Sequence, residues 1–241
     1  FKISGKEVSE RIERIREKLF NAREKRIRPH RDDKILTDWN GLMIAAFAKG
    51  ARVFGEERYL KEAQNAADFI INTMCENNRL FHRFRDGEAL IVGNLDDYAF
   101  LINGLLEIYE ASFELKYLKI ALSLNKILLK HFWDVEHGGF YFTPDDGEKI
   151  LIRRKEIYDA AIPSGNSIQM LNLLKISQIT EDEELKQKIT GIEKAFSETI
   201  LRSPTGFTQF LAAFDYKVGP SYEIVIAGNP DEDETRAMID V

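Results

Sequence analysis

TDWNG at Thr37 to Gly41, GNLDDYA at Gly93 to Ala99 and PSGNS at Pro163 to Ser167 are three short runs dense in small, amide, hydroxyl and carboxylate side chains. Each opens an apolar stretch of helical period, so each reads as the start of the first helix of a repeated helical hairpin. Equivalent helix starts in one repeat architecture lie on one rim, where they can jointly line a mouth.

The repeat is countable. An offset of 58 residues places Tyr59-Leu60 on Tyr117-Leu118, Asp38 on Asp96, Leu42 on Phe100, Ile44 on Ile102 and Ala63 on Ala121. A further offset of 67 carries Leu118 to Leu185 and Asp97 to Ser164, so a third, looser copy runs from Ser164 to about Ile200. The spacing predicts hairpins over 38–76, 95–132 and 164–200, preceded by a leading helix over 6–26.

Within a copy the first helix (Leu42, Ala45, Ala46, Phe47, Ala48, Ala51, Val53, Phe54) is apolar around most of its circumference, as an inner helix is. Its partner carries one stripe, Leu60, Ala63, Ala67, Ile70 and Met74, with Lys61, Glu62, Gln64 and Asn65 turned away, as an outer helix does. Gly55 between them supplies a left-handed stop. After the first two outer helices, Leu80 to Val92 and Gly139 to Ile152 each set an Asp-Gly pair between strand-forming runs, which predicts two small β-hairpins on the same rim as the polar helix starts.

Composition bounds the rest. With 44% hydrophobic and 31% charged residues among 241, and no apolar run of the ~18 residues a span requires, the chain reads as soluble and not as a membrane protein. The single cysteine, Cys75, excludes a disulfide framework within the chain and, with no secretory or transit signal ahead of Phe1, points to a reducing, cytoplasmic setting. A chain opening at Phe1 is expected to lack its natural beginning. At the other end Tyr222 to Gly228 reads as a strand, and Asn229-Pro230-Asp231 as a turn into a helix over Glu232 to Met238. That β/α element, 222–241, is expected to be cut short.

Residues 1 to 34 hold twelve Lys and Arg against seven Asp and Glu, a balance of +5 in a chain of net charge −6. Val8, Ile12, Ile15 and Leu19 repeat on one face of that basic segment. The pattern suits a partner contact or a solvated amphipathic helix; the acidic remainder and the scarcity of aromatic residues among the basic ones argue against nucleic acid.

DDKILTDWNGLMIAA (Asp32 to Ala46), DDYA at Asp96 to Ala99, GGF at Gly138 to Phe140 and KEIYDAAIPSGNS (Lys155 to Ser167) resemble the thioredoxin-domain-containing YyaL/spermatogenesis-associated protein 20 family. The resemblance spans Arg23 to Gly228. It implies an all-α fold: the second half, 1–221, of an (α/α)6 toroid similar to N-acylglucosamine 2-epimerases and six-hairpin glycosidases. It also implies that the family's thioredoxin-like domain and the first half of the toroid lie outside this chain, so that another copy or the missing half covers the open side.

A sugar-processing toroid needs a proton carrier at its mouth, aromatic faces for a pyranose ring and polar groups for hydroxyls. The rims offer Asp97, Asp96 and His82 as catalytic candidates. Asp38 and Asp159 are further acids, Trp39, Tyr98, Phe140 and Tyr158 are candidate faces, and Asn40, Asn94, Arg83, Arg85, Ser164 and Asn166 candidate contacts. Capping competes as an explanation: Thr37, Asp38, Asp96 and Ser164 are all good N-caps, whereas Asp97 follows a sufficient cap at Asp96 and is freer for chemistry. Trp39 suits a buried position as well as a ring platform. Strand alternation sets His82 and Phe84 opposite Arg83 and Arg85. Ser164 lacks a histidine partner and a nucleophile elbow. The scattered histidines show no metal spacing, and no cofactor is expected. The expected ligand is a small saccharide or, in a non-catalytic scaffold serving the thioredoxin-like domain, a peptide.

Overall fold

The computed structural model describes residues 4–220, 224, 226–229 and 232–239. The chain divides into two compact units between Lys34 and Ile35. The first contains α1 (Gly5–Glu24), started by a capping box in which the Ser4 hydroxyl accepts the Glu7 N–H and the Glu7 carboxylate accepts the Ser4 N–H.

In the second unit, β1 (Ile35–Leu36) leads into α2 (Thr37–Phe54) and α3 (Glu57–Thr73). β2 (Cys75–Glu76), β3 (Arg79–Arg85) and β4 (Glu88–Val92) follow. Then come α4 (Leu95–Ser112) with α5 (Leu115–His131), and α6 (Gly165–Thr180) with α7 (Glu183–Arg202). A 3₁₀ turn over Pro204–Gly206 leads into α8 (Thr208–Val218), and α9 spans Asp233–Ile239. None of the described helices is long and apolar enough to cross a membrane.

α2, α4, α6 and α8 pack in succession as an inner layer, and α3, α5 and α7 back α2, α4 and α6. The sequence logic is visible in burial. α4 is buried on every side from Asp97 to Ile108, whereas α3 buries only Ala63, Ala67 and Ile70. Gly41 allows the tight α2–α4 crossing, because a Cβ there would stand 2.6 Å from the Phe100 carbonyl carbon. Gly55 is the expected left-handed stop (φ 65°), but Phe113 and Glu181 take the same conformation after α4 and α6, where no residue type announced it. At the far ends of the inner helices, Glu107 and Glu110 of α4 bind Arg52 of α2 and Lys175 of α6.

Three expectations change. α2 is not enclosed all round: Trp39, Met43, Val53 and Phe54 stay exposed along one side. α8, which no expected hairpin includes, is a fourth inner helix, burying Phe210 and Ala213.

The third change concerns the hairpins. The first forms as read, with β3 paired to β4 across Asp86-Gly87, both at positive φ (53° and 82°) as a type I′ turn demands. The second, Gly139 to Ile152, forms no strand. Gly147 does not take a positive φ, Pro144 offers no N–H, and the segment is pinned instead by Arg153 donating to the Thr143 and His131 carbonyls. The left-handed pair is Gly138-Gly139, which closes a turn between the bridged residues Trp133 and Phe140. That segment still lies on the expected rim, since the Leu95 N–H at the start of α4 donates to the Phe142 carbonyl. Of the strand expected at Tyr222 to Gly228, Tyr222, Glu223 and Val225 lie outside the described residues, as do Pro230 and Asp231 of the turn after it, and no strand forms among those described.

Candidate functional site

The site begins where α2 and α4 start beside β3. The Thr37 hydroxyl donates to the Phe81 carbonyl at 2.6 Å, tying the first turn of α2 to the strand. The N-cap of α4 is Asn94, not Asp96, and Asp97 is the reciprocating N3 carboxylate of its capping box, accepting the Asn94 N–H at 2.7 Å. Asp97 also accepts the Asp38 N–H at 3.1 Å, and His82 Nδ1 lies 2.9 and 3.1 Å from its two oxygens. One buried carboxylate thus joins α2, β3 and α4.

The neighbouring Asp96 turns the other way. It packs against Gly165 at the start of α6: a Cβ on Gly165 would stand 2.4 Å from its Oδ1, so glycine is required for the approach. Burial first, then the charges of Asp97, Asp38 and Glu156, push the Asp96 carboxyl up to about 7. Burial and Asp97 likewise raise Asp38, against the Trp39 N–H that its Oδ1 accepts at 2.7 Å. His82 is raised by its hydrogen bond to Asp97, which outweighs burial. The bond holds the Nδ1 proton and leaves Nε2 for proton exchange. Asp97 is 0% exposed, and the His82 side chain 24%. Asp97 therefore orients, and His82 is the member that meets solvent.

Folding separates the other candidates. Trp39 is 61% exposed at the first turn of α2, which removes the buried alternative and leaves its ring available. Beside it the Asn40 amide donates to the Leu36 carbonyl. Tyr98 is fully buried with its hydroxyl accepting the Leu80 N–H, and Phe140 is fully buried against Trp133. Neither presents a face. Asn166, also fully buried, is spent on the Phe140 N–H and the Phe140 and Glu156 carbonyls, and Ser164 is the N-cap of α6. Arg83 and Arg85 alternate away from His82; Arg83 Nε is buried without a hydrogen-bond partner among the described residues, and Arg85 meets Asp86.

Two residues gain importance. Asp159 accepts the Ser164 N–H at 2.9 Å with one oxygen and the Gln209 and Phe210 N–H groups at 2.9 and 3.2 Å with the other, joining α6 to α8. Tyr158 beside it is exposed, its ring edge-on to Phe207. Sequence places both residues on the rim as an acid and an aromatic face, but nothing local tells which helix Asp159 serves. Folding also draws Asp38, His82 and Asp97 together with one ligand-type atom each within 4.8 Å, a donor set of the kind that holds a divalent cation and that sequence spacing did not foreshadow.

The architecture is that of the (α/α)6 toroids. It is similar to cellobiose 2-epimerase from Spirochaeta thermophila (TM-score 0.57, 18% identity, 68% of this chain and 43% of that one). It is also similar to a family 76 glycoside hydrolase, an α-mannanase from Bacteroides thetaiotaomicron (TM-score 0.63, 14% identity, 88% and 56%). At such identities the likeness concerns the fold alone.

Within that class the chain is homologous to spermatogenesis-associated protein 20. It is 37% identical to the Rattus norvegicus protein over 235 residues and 35% identical to the Homo sapiens protein over 234, in each case across 92% of its own length. An uncharacterised Caenorhabditis elegans protein is 32% identical over 249 residues. The chain spans 30% of the length of the two mammalian relatives. No protein-family model matches it.

Proposed function

We propose that the rim formed by the starts of α2, α4 and α6 is a carbohydrate site doing acid–base chemistry of the epimerase or glycosidase kind. The observation that carries this reading is the Asp97–His82 pair beside Asp96. A solvent-reaching imidazole is oriented by a buried carboxylate next to a carboxyl held partly protonated at neutral pH, so two groups able to exchange protons stand together. His82 is the proton carrier, Asp97 its positioning residue and Asp96 the second acid. The exposed rings of Trp39 and Tyr158 supply platforms for sugar faces.

The test is to incubate the full-length protein with reducing disaccharides in deuterated water and follow both exchange at C2 and release of new reducing ends. Exchange or hydrolysis that falls about 10²-fold or more in His82→Asn, at unchanged melting temperature, supports the site. Absence of turnover and of saccharide binding removes it.

A second reading has its own observation. Trp39 shares the exposed side of α2 with Met43, Val53 and Phe54, apolar side chains that suit a protein or peptide. In that reading the chain is a scaffold for the family's thioredoxin-like domain, and Trp39→Ala weakens partner binding while leaving saccharides irrelevant.

A further inference from the structure

α1 carries an apolar seam that no described residue of its own unit covers. Val8, Ile12, Ile15 and Leu19 recur at steps of four, three and four, with Ala22 next. The first four are 43–65% exposed, and no residue of the helix is buried. Such spacing averages 3.5 residues, the period of a helix that pairs along a narrow seam. The residues bordering the seam are Arg11 and Lys18 on one side and Arg16 and Arg23 on the other, whereas Glu10, Glu17 and Glu24 occupy the opposite face. Arg16 pairs with Glu13 and Arg23 lies over the Phe20 ring, but Arg11 and Lys18 have no carboxylate partner among the described residues.

We propose that this seam docks an amphipathic α-helix of complementary pattern, apolar along one narrow stripe and bordered by Asp or Glu. The charges select that occupant. A second copy of α1 would set Arg11 and Lys18 against the other copy's Arg16 and Arg23, a like-charge pairing at the positions that decide coiled-coil partner choice. A lipid surface suits a helix with a wide apolar face, and here the one aromatic residue, Phe20, lies off the seam beside Glu17 and Glu13. The inference is independent of the carbohydrate reading, because no rim residue enters it.

The probes are two synthetic three-heptad peptides with the same Ile and Leu seam, one bordered by Glu and the other by Lys, titrated into the full chain and followed by anisotropy. The Glu peptide is expected to bind at least about tenfold more tightly at low ionic strength, with the gap narrowing as salt screens the borders. Ile12→Asp and Ile15→Asp should each abolish binding while leaving the melting transition in place, since both positions are exposed. Equal binding of the two peptides, or none, overturns the proposal. So does a concentration-dependent dimer that Ile12→Asp dissolves, which gives the seam to a second copy. Cosedimentation with phosphatidylserine vesicles in the absence of peptide binding overturns it in favour of lipid.

Discussion

Asp96 and Asp97, adjacent in the chain, turn their carboxylates to opposite neighbours. Asp97 takes the Asp38 N–H at the start of α2, and Asp96 packs against Gly165 at the start of α6, so one dipeptide at the head of α4 touches both neighbouring inner helices. Asp159 extends the contacts to α8. The cluster of acids on the rim thus has a structural duty before any chemical one. That duty separates what a substitution does to stability from what it does to activity.

Asp97→Asn should be strongly destabilising, by about 2–4 kcal/mol, because one amide oxygen cannot serve the Asn94 and Asp38 N–H groups and His82 together, and a buried amide donor is left without an acceptor. Thermal or denaturant unfolding measures this. The same variant should lower the His82 titration midpoint seen by NMR, since the bond to Asp97 is the largest influence raising it. An unmoved midpoint would detach His82 from Asp97.

Asp96 makes stability depend on pH in a stated direction. Its carboxyl titrates near 3.8 when unfolded and about 7 when folded, so the folded state binds the proton more tightly. Its contribution to stability is intact below the lower value, declines as pH rises through the interval, and is lost above about 7. Asp96→Asn keeps the side chain's size and removes the charge, so it should flatten the decline and stabilise the protein above neutrality. Denaturant midpoints measured at intervals from pH 4 to pH 8 decide it, and parallel curves for both proteins would refute it.

Asp159→Ala removes the acceptor shared by the starts of α6 and α8, which should cost about 1–3 kcal/mol. The loss should be local. Hydrogen exchange at Gln209 and Phe210 is expected to accelerate well before exchange within α4, and uniform acceleration across all helices would contradict the assignment.

The exposed side of α2 predicts association. Trp39, Met43, Val53 and Phe54 place exposed apolar side chains on one side of the helix, a grouping rarely left bare on a monomer, so the chain should self-associate or bind the remainder of a toroid. Val53→Lys with Phe54→Lys should shift sedimentation toward monomer. A well-behaved monomer at micromolar concentration without these substitutions would sink the idea.

The repeated polar starts, the 58-residue offset and the switch between apolar-all-round and striped helices were legible because they rest on local period. They placed α2 through α7 and the Asp86-Gly87 hairpin. The same local logic failed at Asp146-Gly147, where the dipeptide matches but Pro144 and the Arg153 anchor hold the backbone elsewhere, and at α8, whose start has no carboxylate of its own and borrows Asp159 from about fifty residues upstream. For the site, sequence supplied the acids, His82 and Trp39 as residue types. Only the tertiary structure decided which carboxylate is buried and which meets water, that Asp97 orients His82, and that Tyr98, Phe140 and Asn166 are framework. The physical reason is that burial, hydrogen-bond partner and charge neighbourhood are properties of four helix starts brought together in space, and no stretch of chain carries them alone.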